Sequence, residues 1–200
     1  ESFSIFNKNL VIKEYSKIDS IIILGMGGSA IGGDLARIIL NDNCRVPIFV
    51  NRSYVIPKWV SENTLVIASS YSGNTEETLD AFFECMKRKS KIVIISTGGR
   101  LVELGKENRI DIILLPSGYQ PRAALGYSFT IINLLLNHIC LLDNKIIHLI
   151  KQSIDPLSIL TSELIKSDNI AIDIASKIYN TFPVLYGTSE FSEVVALRLR

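Results

Sequence analysis

The 200-residue sequence predicts an α/β fold in three layers, with a parallel β-sheet between two layers of helices. Short β-branched apolar runs alternate along the chain with segments of helical periodicity, which is typical of this class. The first run, residues 21–24, is apolar at every position, as expected of a strand buried on both faces. With 48% hydrophobic and 20% charged residues, the chain has enough apolar side chains to build such a core.

Five strands are expected in the first part of the chain, at residues 21–24, 47–50, 64–68, 91–95 and 110–115. The helix after the first strand has an apolar stripe made of Ile31, Leu35, Ile38 and Ile39. The helix after the third strand has one made of Leu79, Phe82, Phe83 and Met86. A short helix at residues 101–106 and a long apolar helix at about residues 123–142 complete this part, and residues 145–180 are predicted to be helical.

The end of the chain repeats the pattern of its beginning. Residues 183–187 predict a strand followed by a glycine, as at residues 21–25, and a helix then starts near Phe191. No helix stop signal precedes Arg200. We therefore expect a complete first subdomain at residues 1–142, connecting helices at 143–182, and the incomplete start of a second subdomain at 183–200.

Composition restricts the partners of this protein. The 21 basic and 20 acidic residues give a net charge of +1, which argues against a nucleic-acid surface. The longest apolar stretch, residues 129–142, is interrupted by polar side chains and is shorter than the ~20 residues that cross a bilayer. No signal peptide is visible, and three scattered cysteines suit reduced thiols rather than disulfides or a zinc site. We expect a cytoplasmic protein with no membrane or nucleic-acid partner.

The glycine-rich turn after the first strand allows more than one function. Residues 25–30 read GMGGSA, which fits the dinucleotide-binding pattern G-x-G-x-x-[GA] between a strand and a helix. An NAD site needs an acidic residue at the end of the next strand, where this sequence has Asn51 and Arg52. Arg52 could instead meet a 2′-phosphate, so an NADP-dependent oxidoreductase stays open. A purely structural glycine turn is the other alternative.

The hydroxyl-rich segment after the third strand predicts a phosphate site. Ser70, Ser72 and Thr75 lie between a buried strand and the start of a helix. A helix start offers unpaired backbone N–H groups and the positive end of the helix dipole, and hydroxyl groups add further donors. Such a loop can surround a phosphate monoester with neutral donors.

The same segment also has a structural interpretation. Asn74, with Glu77 three residues later, forms a variant of the capping box and predicts an Asn74 N-cap. Glu76 and Glu77 suit the helix dipole but would repel a phosphate, so we expect both carboxylates to point away from it. Capping and phosphate binding can occur together.

A third segment places an arginine at the start of the long apolar helix. Pro121 stiffens the chain there, and Arg122 is the single cation of a neutral stretch. A guanidinium held in this way can bind an oxyanion. The structural alternative is an arginine that pairs with a nearby carboxylate at the helix start.

Three stretches carry a resemblance to one family. They read GMGGSAIGGDL at residues 25–35, SYSGNTEETL at 70–79 and QPRAALGY at 120–127. They resemble the signatures of the bifunctional phosphoglucose/phosphomannose isomerases, in the sugar isomerase (SIS) domain superfamily. The resemblance covers residues 21–127 and resumes at 183–200.

The resemblance implies a three-layer SIS fold and an aldose–ketose isomerase. Its reaction would interconvert glucose 6-phosphate or mannose 6-phosphate with fructose 6-phosphate through a cis-enediolate. The enzyme would be a homodimer that uses no metal and no nucleotide cofactor. The site residues implied are Gly27, Gly28 and Ser29 for the sugar, Ser70, Ser72 and Thr75 for the phosphate, and Arg122 for the enediolate.

The resemblance also implies that catalytic groups of the family are missing from these 200 residues. Its glutamate base follows a segment like residues 195–200, and its ring-opening histidine and a lysine lie farther on. His138 and His148 do not match the catalytic histidine of the family and are expected in the core or at an interface, while Glu190 and Glu193 are expected to be solvated. We therefore expect the chain to be a fragment that turns over poorly or not at all. A non-catalytic sugar-phosphate sensor stays open as an alternative.

Overall fold

The computed structural model describes residues 1–8, 15–188 and 190–199, except for the side chain of Glu190. The chain divides into two compact units, Glu1–Asp143 and Asn144–Arg200. The first unit holds all the predicted site residues and is the α/β part of the chain.

The first unit is built on a five-stranded parallel sheet of order β2-β1-β3-β4-β5. The strands are β1 (Ser20–Leu24), β2 (Ile48–Asn51), β3 (Thr64–Ser69), β4 (Lys91–Ser96) and β5 (Asp111–Leu114). Each predicted strand of this part is confirmed, with ends shifted by one residue at most. In the register, Ile23 of β1 lies opposite Val50 of β2 and Ile67 of β3.

Helices cover both faces of this sheet, which confirms the predicted three-layer α/β class. They are α1 (Ser2–Lys8), α2 (Gly27–Leu40), α3 (Glu76–Lys87), α4 (Gly99–Glu107) and α5 (Leu125–His138), with a 3-10 helix at Pro121–Ala124. Helices α1, α2 and α5 form one layer, and α3 and α4 form the other.

The alternation of side chains along the strands explains the two layers. Ile22 and Val66 point to one face and pack in a cluster with α3 and α4. Ile23 points to the opposite face, where a Cβ on Gly33 of α2 would lie only 3.0 Å from its side chain. Since both faces of the sheet are covered, its strands are apolar at consecutive positions.

The long apolar helix is shorter than predicted at both ends. Its start is the 3-10 helix, and α5 itself ends at His138 rather than near residue 142. Cys140 has φ +59°, and the N–H of Leu141 donates to the carbonyl of Leu136 at 3.0 Å. A left-handed residue with this hydrogen bond is a common helix ending, and it stops α5 although the sequence stays apolar.

The second unit contains α6 (Asn144–Gln152), α7 (Ile154–Leu164), α8 (Ile170–Ile178) and α9 (Glu190–Leu199). The helical prediction for residues 145–180 is confirmed. The strand predicted at 183–187 is wrong, because the structure describes these residues without strand pairing. A strand needs a neighbour to bond its backbone groups, and the described part of this unit contains no other strand. The start of a second SIS subdomain stays a prediction.

The described part of the chain contains no helix that is both long and apolar enough to span a membrane.

Replacement of Phe82 by alanine tests the packing of α3 on the sheet. Phe82 is completely buried, whereas its neighbour Phe83 is 40% exposed. We expect Phe82→Ala to lower the free energy of unfolding by about 3–5 kcal/mol, because it leaves a cavity in the core. Phe83→Ala, the matched control, should cost about 1 kcal/mol or less. Equal losses in urea unfolding experiments would contradict this description of the core.

The three free cysteines should differ in reactivity. Burial raises the pKa of the Cys85 thiol to about 12, whereas Cys140 is exposed. Because the thiolate is the reactive form, a disulfide reagent at pH 8 should label Cys140 and leave Cys85 unmodified until the protein unfolds. The raised pKa stabilises the fold below pH 9.0, and this contribution is lost as the pH rises towards 12. Rapid labelling of Cys85 in the folded protein would be inconsistent with its position.

Candidate functional site

The predicted site segments meet at the carboxyl ends of β1 and β3, which are neighbours in the sheet. After β1 the chain moves to β2 on one side, whereas β3 and the strands after it lie on the other side. Helices α2 and α3 consequently start on opposite faces of the sheet. In open α/β sheets, ligands bind outside the carboxyl ends of the strands at such a change of direction.

Residues 70–75, here called the serine loop, are held by their own hydroxyl groups. The backbone N–H of Gly73 donates to Ser70 Oγ at 3.1 Å, and Ser70 Oγ lies 2.8 Å from Thr75 Oγ1. The N–H of Asn74 donates to Ser72 Oγ at 3.2 Å. Ser70 is buried, Thr75 is half-buried and Ser72 is exposed. The loop therefore has a fixed shape, and Ser72 and Thr75 can be reached from solvent.

The predicted capping box at the start of α3 is wrong. The N-cap residue is Thr75 rather than Asn74, and its side chain makes no capping hydrogen bond. The Asn74 side chain instead accepts the backbone N–H of Arg100 at 2.9 Å, at the start of α4. Its amide oxygen is therefore engaged by another helix. The N–H groups of the first turn of α3 are left for a different acceptor, such as an anion.

Gly73 and the Gly98-Gly99 pair interlock the serine loop with the start of α4. Gly73 has φ +70°, and a Cβ on it would lie 1.8 Å from the carbonyl oxygen of Gly98. The N–H of Leu101 donates to the carbonyl of Gly73 at 2.9 Å. The sequence signal for this contact is a glycine pair shortly after β4, a strand that is parallel to β3.

Glycines of α2 bring Arg122 to the start of that helix. A Cβ on Gly28 would lie 2.9 Å from the carbonyl oxygen of Pro121 and 3.5 Å from the Cα of Arg122. One turn later, a Cβ on Gly32 would lie 2.3 Å from Ser128 Oγ. Arg122 is exposed. The structure thus brings the backbone of Arg122 against the glycine-rich turn, as the order of the motifs alone could not indicate.

The start of α2 also adjoins the end of β3. The N–H of Gly25 donates to the carbonyl of Asn51 at 3.1 Å, and a Cβ on Gly25 would lie 2.9 Å from the carbonyl oxygen of Ser69. Gly27 is exposed, and Gly28 and Ser29 are half-buried. The sugar-binding residues predicted on α2 therefore lie beside the strand that leads into the serine loop.

The acidic residues at the start of α3 have a partner of their own. Desolvation, followed by the carboxylates of Glu76, Glu77 and Asp80, raises the pKa of Tyr54. These carboxylates therefore lie near Tyr54, and the expectation that they point away from a bound phosphate stays a prediction.

The pairing of Arg52 argues against the NADP alternative. Its guanidinium makes a two-pronged ion pair with Asp34 of α2, with 3.3 Å between Nη1 and Oδ1 and a closer contact between Nη2 and Oδ2. The Asp34 side chain is only 8% exposed. Separating a buried pair leaves an uncompensated charge, which is strongly destabilising. Arg52 therefore stabilises the fold by pairing with Asp34 rather than binding a 2′-phosphate.

Both histidines of the chain were expected in the core or at an interface. The core expectation is wrong, since His138 and His148 are exposed. His138 makes an edge contact with Phe6, with 5.9 Å between the ring centroids. Glu193 is exposed, as expected, whereas the side chain of Glu190 lies outside the described residues.

The fold defines the class of protein. The chain has the SIS fold of phosphosugar isomerases, a parallel α/β sheet with helices on both faces. It is similar to the tagatose-6-phosphate ketose/aldose isomerase of Escherichia coli, with a TM-score of 0.63 over 98% of this chain and 55% of that chain. The sequence identity is 16%, so this similarity establishes the fold alone.

Sequence comparison identifies the particular family. The chain is 45% identical to the bifunctional phosphoglucose/phosphomannose isomerase of Caldicellulosiruptor bescii, over 90% of this chain and 54% of that protein. It is 40% identical to the enzyme of the same name from Thermoplasma acidophilum, over 88% of this chain and 52% of that protein. The chain belongs to the bifunctional phosphoglucose/phosphomannose isomerase family, and it spans about half the length of these relatives. No protein-family model matches it.

Replacement of Gly73 by alanine tests the interlocked glycines. The new Cβ would collide with Gly98, and the left-handed backbone would add about 1–2 kcal/mol of strain. We expect a clear loss of stability, measured as a lower midpoint of thermal unfolding. Gly126→Ala is the matched control, because a Cβ there meets nothing within 4 Å. Normal stability in Gly73→Ala would contradict the described packing.

Proposed function

We propose that the protein containing this chain interconverts glucose 6-phosphate or mannose 6-phosphate with fructose 6-phosphate. The observation that carries the proposal is that the three motif segments, distant in sequence, meet at the carboxyl ends of β1 and β3. Two relatives at 45% and 40% identity are named for this activity. The chain described here supplies the phosphosugar-binding part of the enzyme.

The serine loop binds the phosphate group of the substrate in this proposal. The hydroxyl groups of Ser72 and Thr75 are accessible, and the uncapped first turn of α3 adds backbone N–H donors. Ser70 is buried and accepts the N–H of Gly73, so its hydroxyl proton can be donated to Thr75. Thr75 then directs its own proton to the phosphate. Ser70 acts mainly by orienting Thr75, which refines the direct contact expected from sequence.

The start of α2 binds the sugar. A Cβ on Gly27 would meet nothing within 4 Å, so this side of the turn is open. Gly28 and Ser29 follow at the same helix start, and small side chains there let the sugar approach the backbone.

Arg122 stabilises the negative charge that develops during the reaction. A base removes the proton from C2 of the aldose, and the electron pair of that C–H bond forms the cis-enediolate with its negative charge on O1. The hydroxyl proton of O2 passes to O1, and the base returns a proton to C1, which gives the ketose. C2 is oxidised and C1 is reduced within one molecule, so the net reaction needs no external oxidant. A fixed guanidinium beside the enediolate oxygens lowers the barrier because it binds the charge of the transition state.

The proposal extends to the rest of the protein. The glutamate base, the ring-opening histidine and the lysine of the family follow Arg200, and two copies form the active enzyme in the cytoplasm. The second SIS subdomain begins at about residue 183, and residues 1–142 form the first. Neither nucleic acid nor a membrane is a partner.

Assays of two forms of the protein test the function. The complete protein should produce fructose 6-phosphate from glucose 6-phosphate or mannose 6-phosphate, because it contains the base. The 200-residue chain should bind fructose 6-phosphate in calorimetry with little or no turnover. Full isomerase rates from this chain alone would contradict its description as a fragment. Sugar-phosphate binding without turnover by the complete protein would favour a non-catalytic sensor.

Replacement of Arg122 by alanine tests its role in the complete enzyme. We expect kcat to fall by about 10²-fold or more while KM changes little, because the interaction forms in the transition state. Arg45→Ala is the matched control, since Arg45 is exposed and lies beyond the opposite end of α2. An effect on KM alone would make Arg122 a substrate-binding residue instead.

A further inference from the structure

Tyr71 connects the serine loop to a distant part of the chain. Its hydroxyl donates to the carbonyl oxygen of Pro116 at 2.9 Å and accepts the backbone N–H of Tyr119 at 3.0 Å. Both partners belong to residues 116–120, here called the crossing segment, which follows β5. The Tyr71 hydroxyl therefore donates one hydrogen bond to this short stretch of backbone and accepts another from it.

The crossing segment determines where Arg122 lies. β5 is an edge strand of the sheet, whereas the 3-10 helix that carries Arg122 packs against α2. The segment has no regular secondary structure, and Gly118 within it has φ +96°. Its far end is fixed where Gly28 approaches Pro121. The Tyr71 hydroxyl fixes the part of the segment that comes before this contact.

The hydroxyl of Tyr71 acts separately from its backbone. The carbonyl oxygen of Tyr71 accepts hydrogen bonds from the N–H of Thr97 at 3.1 Å and from Thr97 Oγ1 at 2.7 Å. These bonds anchor the serine loop to the end of β4 without the phenol. Loss of the hydroxyl alone therefore leaves the backbone of the serine loop in place.

We propose that Tyr71 is a positioning residue that couples the phosphate-binding loop to Arg122. The inference rests on the proposed isomerase function. A bound phosphate fixes the substrate on the serine loop, and the Tyr71 hydroxyl holds the crossing segment at a set distance from that loop. Arg122 then meets the enediolate oxygens in the correct position, and small errors of position at a reacting centre cost large factors in rate.

The variant Tyr71→Phe in the complete enzyme tests this coupling. We expect kcat to fall about tenfold while KM for fructose 6-phosphate changes less than about twofold, because the serine loop stays intact. Tyr15→Phe is the matched control. The Tyr15 hydroxyl bonds the carbonyl of Ile92 at 3.1 Å and Asp111 Oδ2 at 2.7 Å, at the amino-terminal end of the sheet. It should lose stability and keep the wild-type kcat.

A double variant separates positioning from a general structural effect. If Tyr71 acts through Arg122, adding Tyr71→Phe to Arg122→Ala should lower kcat by less than about twofold further. A full tenfold additional loss, or a wild-type kcat in Tyr71→Phe, would overturn the inference and leave the isomerase function standing. Absence of isomerase activity in the wild-type protein would overturn both.

Discussion

The candidate site depends on places where one backbone segment touches another with no side chain between them. Gly25 approaches the carbonyl of Ser69, Gly28 approaches Pro121, and Gly73 approaches Gly98. Each contact joins two backbone segments near the carboxyl ends of the strands. A Cβ at any of these glycines would force the two segments apart. The site is therefore assembled by backbone packing, and the polar side chains are carried on that frame.

Much of this arrangement could be predicted from the sequence. The strands are consecutive apolar runs, and the helices between them have clear apolar stripes. The local pattern therefore predicts the positions of these elements along the chain. The strand prediction for residues 183–187 was wrong because an apolar run becomes a strand only beside a neighbouring strand. The exposed position of His138 could not be predicted from the apolar sequence around it. Residues 131–136 are all buried, but this burial ends in the last turn of α5, where His138 is the final residue.

The residue types of the candidate site could be predicted from the sequence more completely than their spatial arrangement. The hydroxyls of the serine loop and Arg122 stand out in composition, and the parallel sheet brings them to one edge. The capping role of Asn74 was mistaken because a long-range acceptor interaction with Arg100 replaced the local one. The bridge from Tyr71 to Tyr119 spans 48 positions and depends on where the chain turns after β5. No local pattern contains that information.

The crossing segment has a consequence for how this protein can vary in length. Each added residue can extend a chain by about 3.3–3.6 Å, which exceeds the positional tolerance of a reacting centre. An insertion between Pro116 and Pro121 would disrupt the contacts of the crossing segment with Tyr71 and of Pro121 with Gly28. The exposed turn after α2 contains none of the proposed site residues and can absorb extra residues. Evolutionary insertions should therefore accumulate at the turn and be excluded from the crossing segment.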